Sequence, residues 1–184
     1  MPGLLPAFTG DAVAPGDAGY DAARRPVQVA FHDRHPKLVL RCRSGDDVVA
    51  AIVRARATGE HVAIRGGGHC FAGRSSTDGV LIDLAGLDGI AVAADGTATI
   101  GAGARLGQVY AALHAAGRTL PAGCGATVGI AGLTLGGGLG LLGRRHGLTC
   151  DRLIGARVVL ADGRVIDASS GSSPNCASPP SPSR

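Results

Sequence analysis

Three glycines in a row, Gly66 to Gly68, follow the apolar run His61 to Arg65 and lead straight into His69. Removing three successive Cβ atoms at the end of a strand forces a tight turn and lets neighbouring backbone N–H groups converge on one point. The residues before this loop set its frame. Leu38 to Cys42 reads as a strand, and Ser44-Gly-Asp-Asp47 reads as a capping box opening a helix. In that helix Val48, Val49, Ile52, Val53 and Ala55 share an apolar face, and Gly59 ends it. A strand, helix and strand of this length predict a βαβ unit with parallel strands.

Beyond the loop, Val80 to Leu84, Ile90 to Ala93 and Thr97 to Ala102 are three short strands whose close spacing predicts a small antiparallel sheet. A helix is expected from Leu106 to Ala116, with Leu106, Val109, Tyr110 and Leu113 on one side and Gly117 as its stop. Residues 121–143 are small, apolar and glycine-rich. Ala156 to Leu160 and Arg164 to Asp167 then flank an Ala-Asp-Gly turn as a β-hairpin. Near the start, a short helix is expected after the Gly16-Asp17 break. The fold class is therefore α+β. Residues 1–14 are expected to be a flexible N-terminus and 15–168 a single folded domain. Residues 169–184, dominated by serine and proline, are expected to be a disordered tail.

Composition excludes several functions. The formal charge of +4 is carried by scattered arginines, Lys37 being the only lysine, and the aromatics are three Phe and two Tyr with no Trp. A nucleic-acid face needs clustered cations and stacking rings, so no nucleic-acid partner is expected. The five cysteines show no C-x-x-C spacing, which argues against a zinc site and a disulfide framework. No segment has the ~18 consecutive apolar residues of a membrane helix, and the first residues lack the basic region of a signal peptide. A reduced cytoplasmic protein without a membrane partner or a metal is the expectation. The 31 glycines, without a collagen-like period, favour a ligand cradle over a helical bundle.

On local evidence the Gly66–Gly68 loop is a nest suited to a pyrophosphate, or a plain glycine turn beside an incidental histidine. It is neither a phosphate-binding Walker loop nor a G-x-G-x-x-G dinucleotide motif, because the residues that should follow are absent. His69 can act as ligand, base or nucleophile, or merely lie at the surface. The second glycine cluster can lie against a large flat apolar ligand or pack a helix closely on a sheet. Cys124 is either a reactive thiol or a small buried hydrophobe.

Taken in order, DRHPKLVLRC, VAIRGGGHCFAG, VLIDL, PAGCGATVGIAGLTLGGGLGLLGRRHGLTCDRL and VVLADGRVID resemble one PCMH-type FAD-binding domain. The branch is the berberine-bridge-enzyme-like one of the vanillyl-alcohol-oxidase superfamily. The resemblance implies a two-lobed α+β domain, with a small parallel βαβ lobe and a mainly antiparallel lobe, holding FAD extended with its pyrophosphate on the RGGGH loop. It places cofactor contacts at Arg65, Gly66, Gly67, Gly68, His69, Gly73, Gly123, Cys124, Thr127, Val128, Gly129, Gly132, Leu133, Gly138 and Gly140. It also implies a covalent bond from His69 to the flavin C8α methyl, hydride transfer from a small-molecule substrate to flavin N5, and molecular oxygen as acceptor.

Relatives with a second flavin bond carry the thiol in Cys-Pro-Thr-Val-Gly. Here the stretch runs Cys124-Gly-Ala-Thr-Val-Gly129, with Gly125 at the thiol position, so a single histidyl bond is expected. The family's substrate domain is not found, and the Ser/Pro tail resembles an early stop, so no catalytic base is assigned. Two alternatives stay open: a flavin-binding fragment without turnover, and a non-covalent flavin reductase of the same fold.

Overall fold

The computed structural model describes residues 8–169. Its centre is a four-stranded sheet of order β1-β2-β4-β3, formed by β1 (Asp11–Val13), β2 (Leu38–Arg41), β4 (Val80–Asp83) and β3 (Val62–Arg65). β2 and β3 both pair parallel with β4, and β1 pairs antiparallel with β2. The helix α2 (Gly45–Ala57) crosses from β2 to β3, and α1 (Tyr20–Arg24) is a single turn. The βαβ expectation holds in direction, but its strands are not neighbours, because β4 lies between them.

Both faces of this sheet are covered. Leu38, Leu40, Val80 and Ile82 pack with Val48, Ala51 and Ala55 of α2, while Val39, Leu81 and Ala63 pack with Tyr20 and Ala23 of α1. All four residues of β4 are buried, as expected of a central parallel strand. The α2 face differs from the expected one in one respect. Ala51 sits in the core, whereas Val53 is half exposed and leans toward Gly163 in the turn of the last hairpin.

Three expectations are corrected. Val80–Asp83 does not join an antiparallel sheet, because Val80, Leu81 and Ile82 are apolar on both faces and find burial on both only in the parallel sheet. Only β5 (Ile90–Val92) and β6 (Ala98–Ile100) form the antiparallel pair. The supposedly flexible N-terminus also contains β1. Ser169 is the last residue of the hairpin β7 (Gly155–Val159) and β8 (Val165–Ser169) rather than of the tail, and the rest of that tail lies outside the described residues. A second core gathers Leu106, Val109 and Leu113 of α3 (Leu106–Ala115) with Ala104, Ala122 and Ile130, against Ile90, Val92, Ala98 and Ile100. The antiparallel strands therefore do not make one sheet: β5–β6 packs on α3, whereas β7–β8 packs on α2.

The capping box is present. Asp47 N donates to Ser44 Oγ at 3.1 Å, and Ser44 N donates to Asp47 Oδ2 at 3.2 Å. The Asp47 carboxylate also accepts from Thr9 N at 2.7 Å and from Arg43 N at 2.8 Å. Burial pushes this carboxyl up, but the hydrogen bonds from Thr9, Arg43 and Ser44 outweigh it and hold it below the ordinary range. A depressed carboxyl stabilises the fold above its unfolded-state pKa, and that stability is lost as pH falls through the folded value. Asp47→Ala is expected to cost about 2–3 kcal/mol. Urea titration at neutral pH measures the loss, and the gap between variant and wild type should narrow in acid.

Candidate cofactor site

The strand β3 ends at Arg65, and its guanidinium turns inward. It donates to Ala23 O at 2.8 Å, Arg24 O at 2.7 Å and Ser75 O at 3.0 Å, leaving the residue 6% exposed. Burial lowers its pKa, with Asp83 on the neighbouring strand opposing. The expectation of a cofactor contact at Arg65 is corrected for its side chain, which ties the RGGGH loop to α1 and to the loop at Ser75. Its backbone alone remains at the site.

Gly66, Gly67 and Gly68 follow, with Gly68 at φ +72°. Among the described residues, none of the turn and loop hydrogen bonds is donated by the N–H groups of Gly66, Gly67, Gly68 or His69. Four consecutive N–H groups without a carbonyl partner there are donors that can bind an anion.

The second glycine segment meets this loop. A Cβ on Gly67 would lie 2.2 Å from Gly129 N and 2.8 Å from Thr127 O, and a Cβ on Gly129 would lie 2.4 Å from Gly67 N. The two backbones touch where any side chain would separate them. Residues 126–130 are held from the other side: Leu106 N donates to Val128 O at 2.9 Å, Gly107 N to Ala126 O at 2.9 Å, and Ile130 N to Ala104 O at 3.0 Å. The start of α3 thus fixes the Thr-Val-Gly run against the RGGGH loop. Beside this junction, His69 Nε2 lies 2.9 Å from Thr127 Oγ1.

The remaining expected contacts divide in two. Gly123 is buried with Leu133 and Leu106 side chains nearby, and Gly132 at the start of α4 (Ile130–Leu135) faces open space. Cys124 is exposed. Gly132 and Cys124, at the surface beside the junction, can border a ligand. By contrast, a Cβ on Gly140 would strike Ala122 O at 1.8 Å, and one on Gly138 would strike Thr149 Oγ1 at 2.2 Å. Here the missing side chains serve the chain itself. Thr149, 3% exposed, donates to Pro121 O at 2.8 Å or Gly138 O at 3.0 Å and clamps 137–140 onto 121–123. Thr149 gave no signal in sequence, since only the fold brings those segments together. Gly73 takes φ +71° under the ring of Phe31, in a cleft with His61 at the start of β3, the end opposite His69.

A nest of free N–H groups suits a pyrophosphate, and an open wall of glycine and leucine beside it suits an apolar ring, so the residues present fit a dinucleotide lying across the junction. The FAD binding domain family matches residues 36–169. The chain belongs to that family. It is 42% identical over 157 residues to an uncharacterised FAD-linked oxidoreductase of Bacillus subtilis, covering 84% of this chain and 35% of the relative. It is 39% identical over 140 residues to berberine bridge enzyme-like C-1 of Nicotiana tabacum, covering 72% and 25%. The fold matches glucooligosaccharide oxidase from Acremonium strictum, described with a 6-S-cysteinyl, 8α-N1-histidyl FAD, with TM-score 0.81 and 33% identity over 88% of this chain and 34% of that one. The chain thus spans between a quarter and about a third of the length of these proteins. The FAD-binding α+β fold is as expected, and so is the likeness to berberine bridge enzyme-like proteins.

Gly129→Ala is expected to push Thr127–Gly129 off the RGGGH loop, costing about 1–3 kcal/mol of stability and weakening FAD binding, as read by denaturation and by flavin fluorescence titration. The thiols should separate too. Burial, with Asp47 and Asp83 near, pushes the Cys42 thiol up to about 12, so a disulfide reagent at neutral pH should label exposed Cys124 in the folded chain and Cys42 only on unfolding.

Proposed function

We propose that the chain is the FAD-holding module of an oxidase that takes a hydride from a small organic substrate and passes the electrons to molecular oxygen, with the flavin tethered through His69. The observation that carries this reading is the convergence at one junction of the unpartnered N–H nest at Gly66–His69, the Gly67–Gly129 backbone contact and the His69–Thr127 pair.

In this reading the N–H groups of Gly66, Gly67 and Gly68 hold the pyrophosphate, and Thr127, Val128 and Gly129 form the facing wall. Gly132 and Leu133 border the ring, with Gly123 packed beneath Leu133, and His69 stands beside the nest as nucleophile. FAD bound there supplies two-electron redox chemistry. The protein's part is to fix the cofactor and to shield one face of it; a base and a substrate wall are not assigned to any residue of this chain. A second flavin bond through Cys124 is not favoured. The thiol falls one residue early, and Gly125 in its place would bring a Cβ to 2.9 Å from Val128. Among the described residues four free, scattered cysteines, Cys42, Cys70, Cys124 and Cys150, suit a reducing cytoplasm. Among the described residues no helix is long and apolar enough to cross a membrane.

A second reading has its own support. Leu135, Leu139 and Leu141 of the second glycine segment, and Ile154, are exposed, apolar surface of a kind that a complete active-site wall covers. On that reading the 184-residue chain holds flavin and turns nothing over.

The experiment is acid precipitation of the chain after incubation with FAD. Wild type is expected to retain yellow flavin in the pellet and His69→Ala to release it. Release from both would leave a non-covalent flavoprotein of the same fold. Oxygen consumption with a panel of alcohols, amines and sugars then separates the oxidase from the inactive flavin binder.

A further inference from the structure

His69 and Thr127 come from different lobes, 58 positions apart in sequence, yet Nε2 and Oγ1 are 2.9 Å apart. Neutral imidazole carries one N–H and one lone pair, and the partner of one nitrogen decides which nitrogen holds which. Thr127 engages Nε2, and among the described residues no hydrogen bond engages Nδ1. The backbone of Thr127 is itself fixed, since its carbonyl packs against Gly67, two residues before His69. The hydroxyl is therefore held in place by the same contact that joins the two glycine segments.

We propose that Thr127 is the positioning residue for flavin attachment: its hydroxyl accepts the Nε2–H of His69, leaves the lone pair on Nδ1, and so directs the covalent bond to Nδ1. This rests on the His69 tether proposed above. The step balances with dioxygen as oxidant. The Nδ1–C8α bond forms, one C8α–H bond breaks, and the ring gives up its Nε2 proton. The two electrons and two protons released leave as hydrogen peroxide. A hydroxyl suits both ends of this step, because it accepts from Nε2–H beforehand and donates to the bare Nε2 afterwards. Valine has the shape of threonine and can do neither.

Two measurements on the full chain test it. Without flavin, long-range ¹⁵N–¹H correlation of the His69 ring at about pH 8.5, above the ordinary imidazole range, is expected to show the Nε2–H tautomer in wild type and in Thr127→Ser. Thr127→Val should show a mixture. Identical tautomer populations in all three chains would overturn the proposal. With FAD in air, followed by acid precipitation, digestion and separation of the histidyl-flavin isomers, wild type and Thr127→Ser should give the Nδ1 isomer. Thr127→Val should attach flavin about tenfold more slowly or yield Nε2 isomer as well. If wild type keeps its flavin in acid and Thr127→Val attaches it at the same rate to the same nitrogen, the role of Thr127 fails and the tether stands. If wild type releases all its flavin, the tether fails and this proposal falls with it.

Discussion

The contact between Gly67 and Gly129 is the constraint on which the rest of the structure depends. It brings the loop after the edge strand β3 against the segment that opens α4, with no side chain between them, and each amide N would lie within 2.5 Å of the other residue's Cβ if it had one. The parallel sheet and the α3 layer have separate apolar cores. Neither core specifies how the other sits. A backbone junction that admits only glycine does, and because it sits at the end of β3 it also fixes where the free N–H groups point. The binding nest is in this sense a by-product of lobe docking. A change that loosens the docking spreads the donors as well.

The arginine that begins the loop supports that junction from below. Arg65 gives its guanidinium to three carbonyls of neighbouring segments. A buried cation so fully bonded is costly to disturb, since removing it strands three acceptors. Its motif position invites assignment to an anionic ligand, and the fold assigns it to the protein instead. Rigidity at the root of a glycine loop is useful, because three glycines carry little stiffness of their own.

How much of this was legible in the sequence varied with the range of the interaction. The helix of 45–57 could be read because its capping box, apolar face and terminal glycine are all local, and the hairpin at 155–169 because its turn chemistry is. The place of Val80–Asp83 could not, since three consecutive apolar residues, Val80 to Ile82, fit the middle of a parallel sheet as well as an antiparallel one and only long-range packing decides. At the site, the two glycine segments and His69 were readable as motifs. The roles of Arg65, Gly138, Gly140 and Thr149 were not, because each depends on carbonyls that reach it from elsewhere in the chain. Glycine in a motif records that something approaches closely. It does not record whether that something is a ligand or Ala122 O.

That ambiguity bears on the openness of the site. In the proposed arrangement the phosphate end lies at the junction, whereas the ring end would meet exposed Gly132, Cys124, Leu135, Leu139 and Leu141. A cofactor gripped at one end and bare at the other is held by few contacts and is free to swing about its anchored phosphates. A covalent bond beside the nest, as proposed for His69, removes that freedom without another wall, since it replaces buried area by a fixed distance. On the same grounds a hydroxyl that selects the bonding nitrogen matters more here than in a closed pocket. In a closed pocket, packing would orient the ring. In this open one, the orientation of His69 rests on the backbone that carries Thr127.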